Sequence, residues 1–169
     1  SIYPKTLRNL QWRGNAGNTW VDNNSMIFIE AKSAKTDTII RLAHLNEILA
    51  KSGAENLKSF PSVNWLDDTF FTVEAGTSIH KVNFANGTSQ VLNSWEADQE
   101  NRDIAPETFF AAYTRENNLY VSINGIEKAV TNDSEKNIVN GQSVHRNEFG
   151  INKGTFWSPK GNLLAFYRM

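Results

Sequence analysis

The stretch TFWSPKGNLLAFY, residues 155–167, decides how the chain is interpreted. Two short runs of apolar and aromatic residues flank a turn that contains a proline and a glycine, a pattern that predicts two antiparallel strands joined as a tight hairpin. The charged stretch VHRNEFG, residues 144–150, comes just before it and places one glutamate next to an apolar residue and a glycine. We therefore expect a rigid hairpin preceded by an acidic loop.

Hairpins of the same kind are expected three more times along the chain. In each, an aromatic residue precedes a turn rich in Asn, Asp or Glu, and an apolar run follows. The aromatic markers, including that of the last hairpin, are Trp20, Trp65, Tyr113 and Trp157. They are spaced 45, 48 and 44 residues apart, which agrees with the period of about 40–50 residues that β-propeller blades show.

This repetition predicts an all-β fold, a partial β-propeller that forms a single domain over residues 1–169. The chain should hold about three complete four-stranded blades plus half a blade. One short helix is expected near residues 46–52, because Asn46 can cap a helix and Gly53 can end one. The acidic stretch 96–107 is expected to be a solvated connection.

Propeller blades stack face to face, so we expect the aromatic markers to pack between neighbouring blades rather than to bind ligand. A closed propeller has roughly 4–8 blades. A chain with fewer blades would leave strand edges and apolar faces uncovered, and we expect such a chain to form a homo-oligomer through them.

Composition excludes several classes of function. The 169 residues are 40% hydrophobic and carry a net charge of −1, so no basic excess favours a nucleic acid partner. Cysteine is absent, and no run approaches the roughly 18 apolar residues of a membrane span. We predict no cofactor and no metal site. Because the chain starts without Met and ends within an apolar run, we expect it to be a fragment.

Residues 117–169 resemble the amino-terminal propeller of the dipeptidyl peptidase IV family, especially its Bacteroidetes-type members. The resemblance is carried by NLYV at 118–121, NIVNG at 137–141, VHRNEF at 144–149 and WSPKGN at 157–162. It implies a serine exopeptidase that releases N-terminal X-Pro or X-Ala dipeptides. It also implies an eight-bladed propeller that caps an α/β-hydrolase domain, which is missing from this chain.

In that family, two adjacent glutamates on a propeller loop hold the free α-amino group of the substrate. Glu148 stands at the second of these positions, and Asn147 stands where the other acid would be. A carboxylate binds an ammonium through charge-assisted hydrogen bonds, and an amide oxygen can also accept one. The resemblance therefore implies that Glu148 and Asn147 bind peptide N-termini. No arginine is assigned to the substrate carbonyl.

Catalytic residues are not expected in this chain. It contains no G-x-S-x-G nucleophile elbow, and His44, His80 and His145 are expected to be structural or solvated. The chain alone should therefore have no peptidase activity, while the parent protein would be a serine peptidase. The resemblance implies that the parent is periplasmic or associated with the cell surface.

Two other functions compete with this interpretation. A non-catalytic propeller could bind a protein or peptide across its face. A carbohydrate-active propeller would use paired carboxylates, for which the sequence offers Asp67 and Asp68. Their place in a predicted hairpin turn favours an ordinary turn role, since Asp is common there.

Overall fold

The computed structural model describes residues 8–13, 17–143 and 152–169, and for residues 8–13 it describes the backbone alone. The described residues form fourteen strands and one helix. The strands make three four-stranded sheets and one two-stranded sheet, and each sheet consists of strands that are consecutive in the sequence. The predicted all-β fold, with three blades and half of a fourth, is confirmed.

The first sheet contains β1 (Arg8–Arg13), β2 (Gly17–Val21), β3 (Ser25–Glu30) and β4 (Thr36–Arg41). The second contains β5 (Val63–Trp65), β6 (Phe70–Ala75), β7 (Ser78–Asn83) and β8 (Thr88–Ser94). The third contains β9 (Glu100–Ile104), β10 (Ala111–Arg115), β11 (Asn118–Ile123) and β12 (Ile126–Ala129). The last is the hairpin of β13 (Thr155–Trp157) and β14 (Leu164–Phe166).

The aromatic markers do not occupy equivalent strands. Trp65 and Trp157 lie in β5 and β13, the first strands of their sheets, whereas Trp20 and Tyr113 lie in β2 and β10, the second strands. All four precede a hairpin turn, but not the same turn of the blade. The spacing still gives the right number of sheets, because a shift of one strand is small compared with the length of a blade.

The prediction that residues 96–107 form only a connection is wrong, because β9 lies within them. Its residues pair antiparallel with β10, where Ile104 is opposite Ala111 and Asp103 is opposite Ala112. The segment ENRDI is almost entirely polar, so it lacks the alternation of apolar residues that marks a half-buried strand. Backbone pairing and polar contacts hold it in the sheet instead.

The helix α1 spans Leu42–Ala50, so it begins four residues before the predicted start. Arg41 is the N-cap and makes no side-chain capping bond. Asn46, the predicted cap, lies inside the helix, where its amide exchanges hydrogen bonds with the backbone of Leu57 at 3.0 and 2.9 Å. Gly53 does terminate this region, with φ of +80° and its N–H donated to the carbonyl of Ala50.

The chain divides into two compact units, residues 1–91 and residues 92–169. In the first unit, α1 and two sheets share one apolar core. Its most deeply buried side chains include Met26, Leu45, Ile48, Phe71 and Val82. In the second unit, Tyr113 and Leu119 are buried with several small alanines. That residues 1–169 form a single domain stays a prediction.

Candidate functional site

The predicted substrate-binding residues Asn147 and Glu148 lie outside the described residues, within what we call the Glu148 segment, residues 144–151. The structure does describe the residues on both sides of this segment. These two flanks, which we call the first stem (residues 139–143) and the second stem (residues 152–157), fix where the segment is attached.

Both stems pair with the same strand. In the first stem, Val139 and Met169 exchange backbone hydrogen bonds of 3.0 Å, and the N–H of Gly141 donates to the carbonyl of Tyr167 at 2.8 Å. In the second stem, Thr155 is opposite Phe166. The N–H of Tyr167 in turn donates to the carbonyl of Gly154 at 2.9 Å. Tyr167, the residue that follows β14, therefore bonds to both stems.

The register shows how the two stems are related. Residue 141 faces residue 167, and residue 155 faces residue 166. Residues 166 and 167 are adjacent in the chain. The two stems therefore pair with consecutive residues of the same strand. The thirteen residues 142–154 lie between the two rungs, and the Glu148 segment is their central part.

The stems come into close contact at Gly154. A Cβ atom at this position would overlap the backbone of Gln142, including its carbonyl oxygen and nitrogen. Glycine is therefore required here by the approach of one stem to the other. Both ends of the intervening residues are thus held at one place on the sheet.

The first stem is bound by the turn between β10 and β11. The backbone carbonyl of Asn117 accepts the N–H of Asn140 at 2.9 Å and its side-chain Nδ2 at 3.2 Å. The side-chain Oδ1 of Asn117 accepts Nε2 of Gln142 at 3.2 Å. Glu116 and Asn117 both have positive φ, +48° and +67°, as a two-residue type I′ hairpin turn requires.

Asp133 reinforces the first stem and its partner strand. Its carboxylate accepts Nδ2 of Asn140 at 3.0 Å and forms an ion pair with Arg168 at 2.8 Å. The hydrogen bond from Arg168 and then that from Asn140 lower the pKa of the Asp133 carboxyl below its usual value. Since Asn140 faces Arg168 in the ladder, one carboxylate joins both members of this rung.

The second stem is bound by Asp103 of β9. Both carboxylate oxygens of Asp103 lie 3.0 Å from Nζ of Lys153, and one also accepts the hydroxyl of Thr155 at 3.1 Å. The backbone carbonyl of the same residue accepts the indole N–H of Trp157 at 3.0 Å. The three bound residues alternate along the stem, so they belong to one face of an extended strand.

A charged cluster lies next to the turn that contains Asn117. Arg115 donates two hydrogen bonds to the carboxylate of Glu127, at 3.1 and 2.8 Å, and lies 2.9 Å from Asp98. The hydroxyl of Tyr113 donates to Glu127 at 2.7 Å. The bond from Arg115 lowers the pKa of Glu127, while burial and then the bond to Glu127 raise the pKa of Tyr113.

The interpretation of Asp67 as a turn residue is confirmed. Its Oδ1 accepts the backbone N–H groups of Thr69 and Phe70, each at 2.8 Å, and these bonds lower the pKa of its carboxyl. Among residues 17–143 and 152–169, no group of His, Asp and Glu side chains is arranged to hold a metal ion.

Of the described histidines, one is buried and one is exposed, which agrees with the predicted structural or solvated roles. His80 in β7 is fully buried between the hydroxyls of Ser52 and Ser78, at 3.1 and 2.7 Å, and burial lowers the pKa of its imidazole. His44 lies on the surface of α1, 3.4 Å from Glu47. His145 belongs to the Glu148 segment and is outside the described residues.

The aromatic markers make contacts within and between sheets. The indole N–H of Trp65 donates to the hydroxyl of Thr19 in the first sheet at 2.9 Å, just as that of Trp157 donates to Asp103 in the third. Trp20 and Tyr113 are buried. These contacts agree with the predicted packing role.

No local pattern in the sequence indicates that Asp103, Asn117 and Asp133 contact the stems. Asp103 lies in residues 96–107, for which the sequence predicts only a solvated connection. The sequence contains the turn signal ENN at 116–118, but a turn signal does not show which distant backbone groups the turn will bind.

Successive antiparallel sheets of two to four strands define a part of a β-propeller. Residues 64–169 match the family described as "Dipeptidyl peptidase IV (DPP IV) N-terminal region". The chain belongs to this family, which confirms the resemblance seen in residues 117–169 and extends it toward the amino terminus.

Two solved structures are similar over 96% of the chain. One, from Bacteroides ovatus and provisionally assigned as a dipeptidyl aminopeptidase IV, is 38% identical with a TM-score of 0.74. The other, dipeptidyl peptidase 4 of Porphyromonas gingivalis, is 16% identical with a TM-score of 0.56 and supports the fold alone. The chain spans only 23% and 25% of their lengths. Among its described residues, no helix has the length and apolarity needed to cross a bilayer.

Proposed function

We propose that this chain is the substrate-binding and gating propeller portion of a serine exopeptidase that releases N-terminal X-Pro or X-Ala dipeptides. Membership of the dipeptidyl peptidase IV family is the observation that carries the proposal. The nucleophile would come from an α/β-hydrolase domain that this chain does not contain. The chain alone would bind and orient peptides without cleaving them.

Glu148 is proposed to hold the free α-amino group of the substrate, with Asn147 as a second acceptor. A carboxylate and an ammonium form charge-assisted hydrogen bonds that are about twice as strong as neutral ones. When the amino terminus of the peptide is fixed at one point, its distance from the nucleophile determines which peptide bond is cleaved. The paired stems support this role. A group that binds the amino terminus can select one peptide bond only if its segment is attached at a defined place.

The test uses a full-length protein that contains this chain. Glu148→Gln keeps the shape of the side chain and removes its charge, so KM for a dipeptidyl substrate with a free amino terminus should rise about 10- to 100-fold. An N-acetylated analogue, which has no ammonium, should be much less affected. Glu55→Gln is the matched control, because Glu55 is an exposed glutamate far from the segment in sequence.

An unchanged KM for the free-amino-terminus substrate in Glu148→Gln would remove Glu148 from the site. If the full-length protein cleaves no dipeptidyl substrate yet binds peptides, the chain would instead be part of a non-catalytic scaffold.

We also propose that the parent protein is periplasmic or associated with the cell surface, as the family resemblance implies. Fractionation of cells that produce the parent protein, with cytoplasmic and periplasmic marker enzymes followed in parallel, tests this. Recovery with the cytoplasmic marker would contradict it.

A separately produced chain is proposed to form a homo-oligomer through open blade edges. Ile126 on β12, the last strand of its sheet, is 63% exposed, and Leu163 in the final hairpin is 69% exposed. Exposed apolar residues, on an edge strand as Ile126 or in a turn as Leu163, favour contact with another chain. Sedimentation equilibrium should show dimers or larger species, and a monomer at high concentration would contradict the proposal.

A further inference from the structure

We propose that Asn86 is a site of spontaneous deamidation, at which the side-chain amide is converted into a carboxylate. The sequence contains three Asn–Gly pairs, at residues 86–87, 124–125 and 140–141. In such a pair the backbone nitrogen of the glycine can attack the side-chain amide, because glycine has no side chain to shield that nitrogen. The three pairs differ in whether the nitrogen and the amide are accessible.

The reaction needs water and no other reagent. The Gly87 nitrogen loses its proton to solvent and forms a bond with Cγ of Asn86, and the bond from Cγ to Nδ2 breaks as ammonia leaves with a proton from solvent. Water then cleaves one of the two carbonyl–nitrogen bonds of the succinimide ring. Cleavage at Cγ gives aspartate, and cleavage at the backbone carbonyl gives isoaspartate. Either product carries a carboxylate in place of the neutral amide.

Both reacting groups are accessible at the first pair. Asn86 is exposed in the turn between β7 and β8, and its Oδ1 accepts the hydroxyl of Thr88 at 2.6 Å. This bond polarises the carbonyl that is attacked, because negative charge develops on its oxygen during the attack. The backbone N–H of Gly87 makes no hydrogen bond to any described residue. The attacking nitrogen is therefore not blocked.

The backbone around Gly87 is also uncrowded. A Cβ atom at this position would come no closer than 3.9 Å to any described atom outside the two chain neighbours, and that nearest atom is Nε2 of His44. The carbonyl of Gly87 accepts Nζ of Lys51 at 3.2 Å. A cation beside this residue favours the deprotonated form of its backbone nitrogen, because opposite charges attract. The surroundings of Gly87 thus favour the attack.

At the second pair, the glycine nitrogen is blocked. The N–H of Gly125 donates to Oδ1 of Asn93 at 2.8 Å. Asn93 is buried and donates Nδ2 to two backbone carbonyls at 2.9 and 3.0 Å, so this acceptor is fixed in place. Asn124 is exposed, as Asn86 is. The hydrogen bond to Asn93 must break before the Gly125 nitrogen can attack.

At the third pair, both groups are held. Asn140 is fully buried, and its Nδ2 donates to the carbonyl of Asn117 at 3.2 Å and to the carboxylate of Asp133 at 3.0 Å. The N–H of Gly141 donates to the carbonyl of Tyr167 at 2.8 Å. The leaving amide and the attacking nitrogen are both engaged, so this region must open before the reaction can begin.

The experiment follows deamidation of the full-length protein that contains this chain during incubation at mildly alkaline pH. Proteolytic digestion and tandem mass spectrometry measure the conversion of each of these asparagines. The same measurement in urea, where the chain is unfolded, gives the rate of each pair without its tertiary contacts. The ratio of the folded to the unfolded rate separates the effect of the structure from that of the local sequence.

We expect Asn86 to react in the folded protein within about threefold of its rate in urea, because its contacts are exposed. Asn124 should be slowed roughly tenfold by the hydrogen bond that blocks its glycine. Asn140 should be slowed more than about 100-fold, because its region must open first. Hydrogen exchange is an independent measurement, in which the amide of Gly87 should exchange fast and the glycine amides of the other two pairs slowly.

Two controls assign the product to Asn86. Asn83 lies in the same tryptic peptide, residues 82–102, and should not convert, because its Oδ1 accepts the N–H groups of Ala85 and Asn86 at 3.0 and 3.1 Å and the bulky Phe84 follows it. Asn86→Gln should remove the product, because attack on the longer side chain forms a larger ring. Ion exchange should likewise show a more acidic form that accumulates in the wild type and not in Asn86→Gln.

Equal ratios of folded to unfolded rate at Asn86 and Asn124 would overturn the proposal, and so would an Asn86 that does not convert in the folded protein. Strong protection of the Gly87 amide against hydrogen exchange would also overturn it, because the attacking nitrogen would then be blocked. None of these outcomes affects the proposed function, since neither Asn86 nor Gly87 is assigned to the binding of substrate.

Discussion

Residues 1–91 and residues 92–169 contain sheets of the same kind, but the contacts that hold them differ in chemistry. In the first unit, side chains of α1 and of two sheets form one apolar core, with Leu45, Ile48 and Phe71 fully buried. In the second unit, the sheet residues are joined by Arg115 with Glu127 and by Lys153 with Asp103. Apolar packing is not directional, whereas ion pairs and hydrogen bonds favour particular positions and angles.

We infer that the first unit contributes mainly stability and that the contacts of the second unit mainly fix local geometry. Burial of apolar surface supplies most of the stability of a domain, at roughly 25 cal/mol per Å². Polar contacts at a surface contribute less free energy, but they can fix geometry where it is needed. The polar contacts of the second unit occur around the stems of the Glu148 segment. The comparison therefore predicts that substitutions in the first unit alter stability most, and those in the second unit alter local order.

The largest effect is expected from Leu45→Ala in the core of the first unit. Leu45 is fully buried, so the substitution should lower the free energy of unfolding by about 2–5 kcal/mol through lost burial and a cavity. Chemical denaturation measures this change. Glu47→Ala is the control, because Glu47 is exposed on the same helix. A cost below 1 kcal/mol for Leu45→Ala would show that this core is not the main source of stability.

A smaller effect is expected from Glu127→Gln in the second unit. The substitution removes a charge that accepts two hydrogen bonds from Arg115 and one from Tyr113. Hydrogen bonds to charged groups contribute about 1.5–3 kcal/mol, and since Glu127 is partly exposed and Gln can still accept, we expect a loss near the lower end. Denaturation with Lys128→Gln as the neighbouring exposed control tests this. If Glu127→Gln lowered the free energy of unfolding as much as Leu45→Ala does, the proposed difference between the two units would be wrong.

The two tryptophan contacts offer a matched pair. Trp157→Phe should cost about 1 kcal/mol, because it leaves the carbonyl of Asp103 without its indole donor. Trp65→Phe should cost less, because its partner Thr19 has further interactions. In addition, Trp65 packs on Phe71 with ring centroids 5.4 Å apart, and a phenyl ring can keep much of this contact. Denaturation of both variants measures the difference. Equal costs would show that the neighbouring contacts do not matter.

The smallest effect is a difference in the pH at which each unit loses protection against hydrogen exchange. Burial lowers the pKa of His80 from 6.5, so the unfolded state binds its proton first and stability falls as pH drops below 6.5 toward the folded pKa. The slope for one proton is at most about 1.4 kcal/mol per pH unit. Protection in residues 70–83, which include β6 and β7, should therefore decrease between pH 7 and 5.

In the second unit, the loss should begin at lower pH. The hydrogen bonds from Arg115 and Arg168 lower the pKa values of Glu127 and Asp133 from 4.5 and 3.8. Their contributions are therefore present above these values and are lost as pH falls through the folded pKa values. His80→Gln should abolish the first loss, and Glu127→Gln should leave it in place. A common onset in both units would contradict this prediction.

Much of the fold followed from local patterns. Turn residues and short apolar runs at a spacing near 46 residues indicated three and a half blades, and the sheets have this composition. The helix start and β9 were predicted wrongly for opposite reasons. Asn46 can cap a helix, but its amide binds Leu57 instead, and the polar residues of β9 hide a strand that is held by backbone pairing.

The candidate site was predicted only in part. The resemblance pointed to Glu148 and Asn147 in the sequence, and the role of these residues remains a prediction. The stem contacts were missed, since Asp103 and Lys153 are fifty residues apart in the sequence and nothing local pairs them. In a sequence, an aspartate and a lysine fifty residues apart show no sign of whether the fold brings them together.

The sequence by itself determined the kind of strands, their turns and the family to which the chain belongs. These features depend on backbone preferences and side-chain periodicity over a few residues. Only the tertiary structure decided that residues 141 and 155 occupy neighbouring rungs beside one strand, and that Asn117 and Asp103 hold the two stems. Such contacts depend on how distant strands align, because a hydrogen bond or an ion pair forms only when donor and acceptor come within about 3 Å of each other.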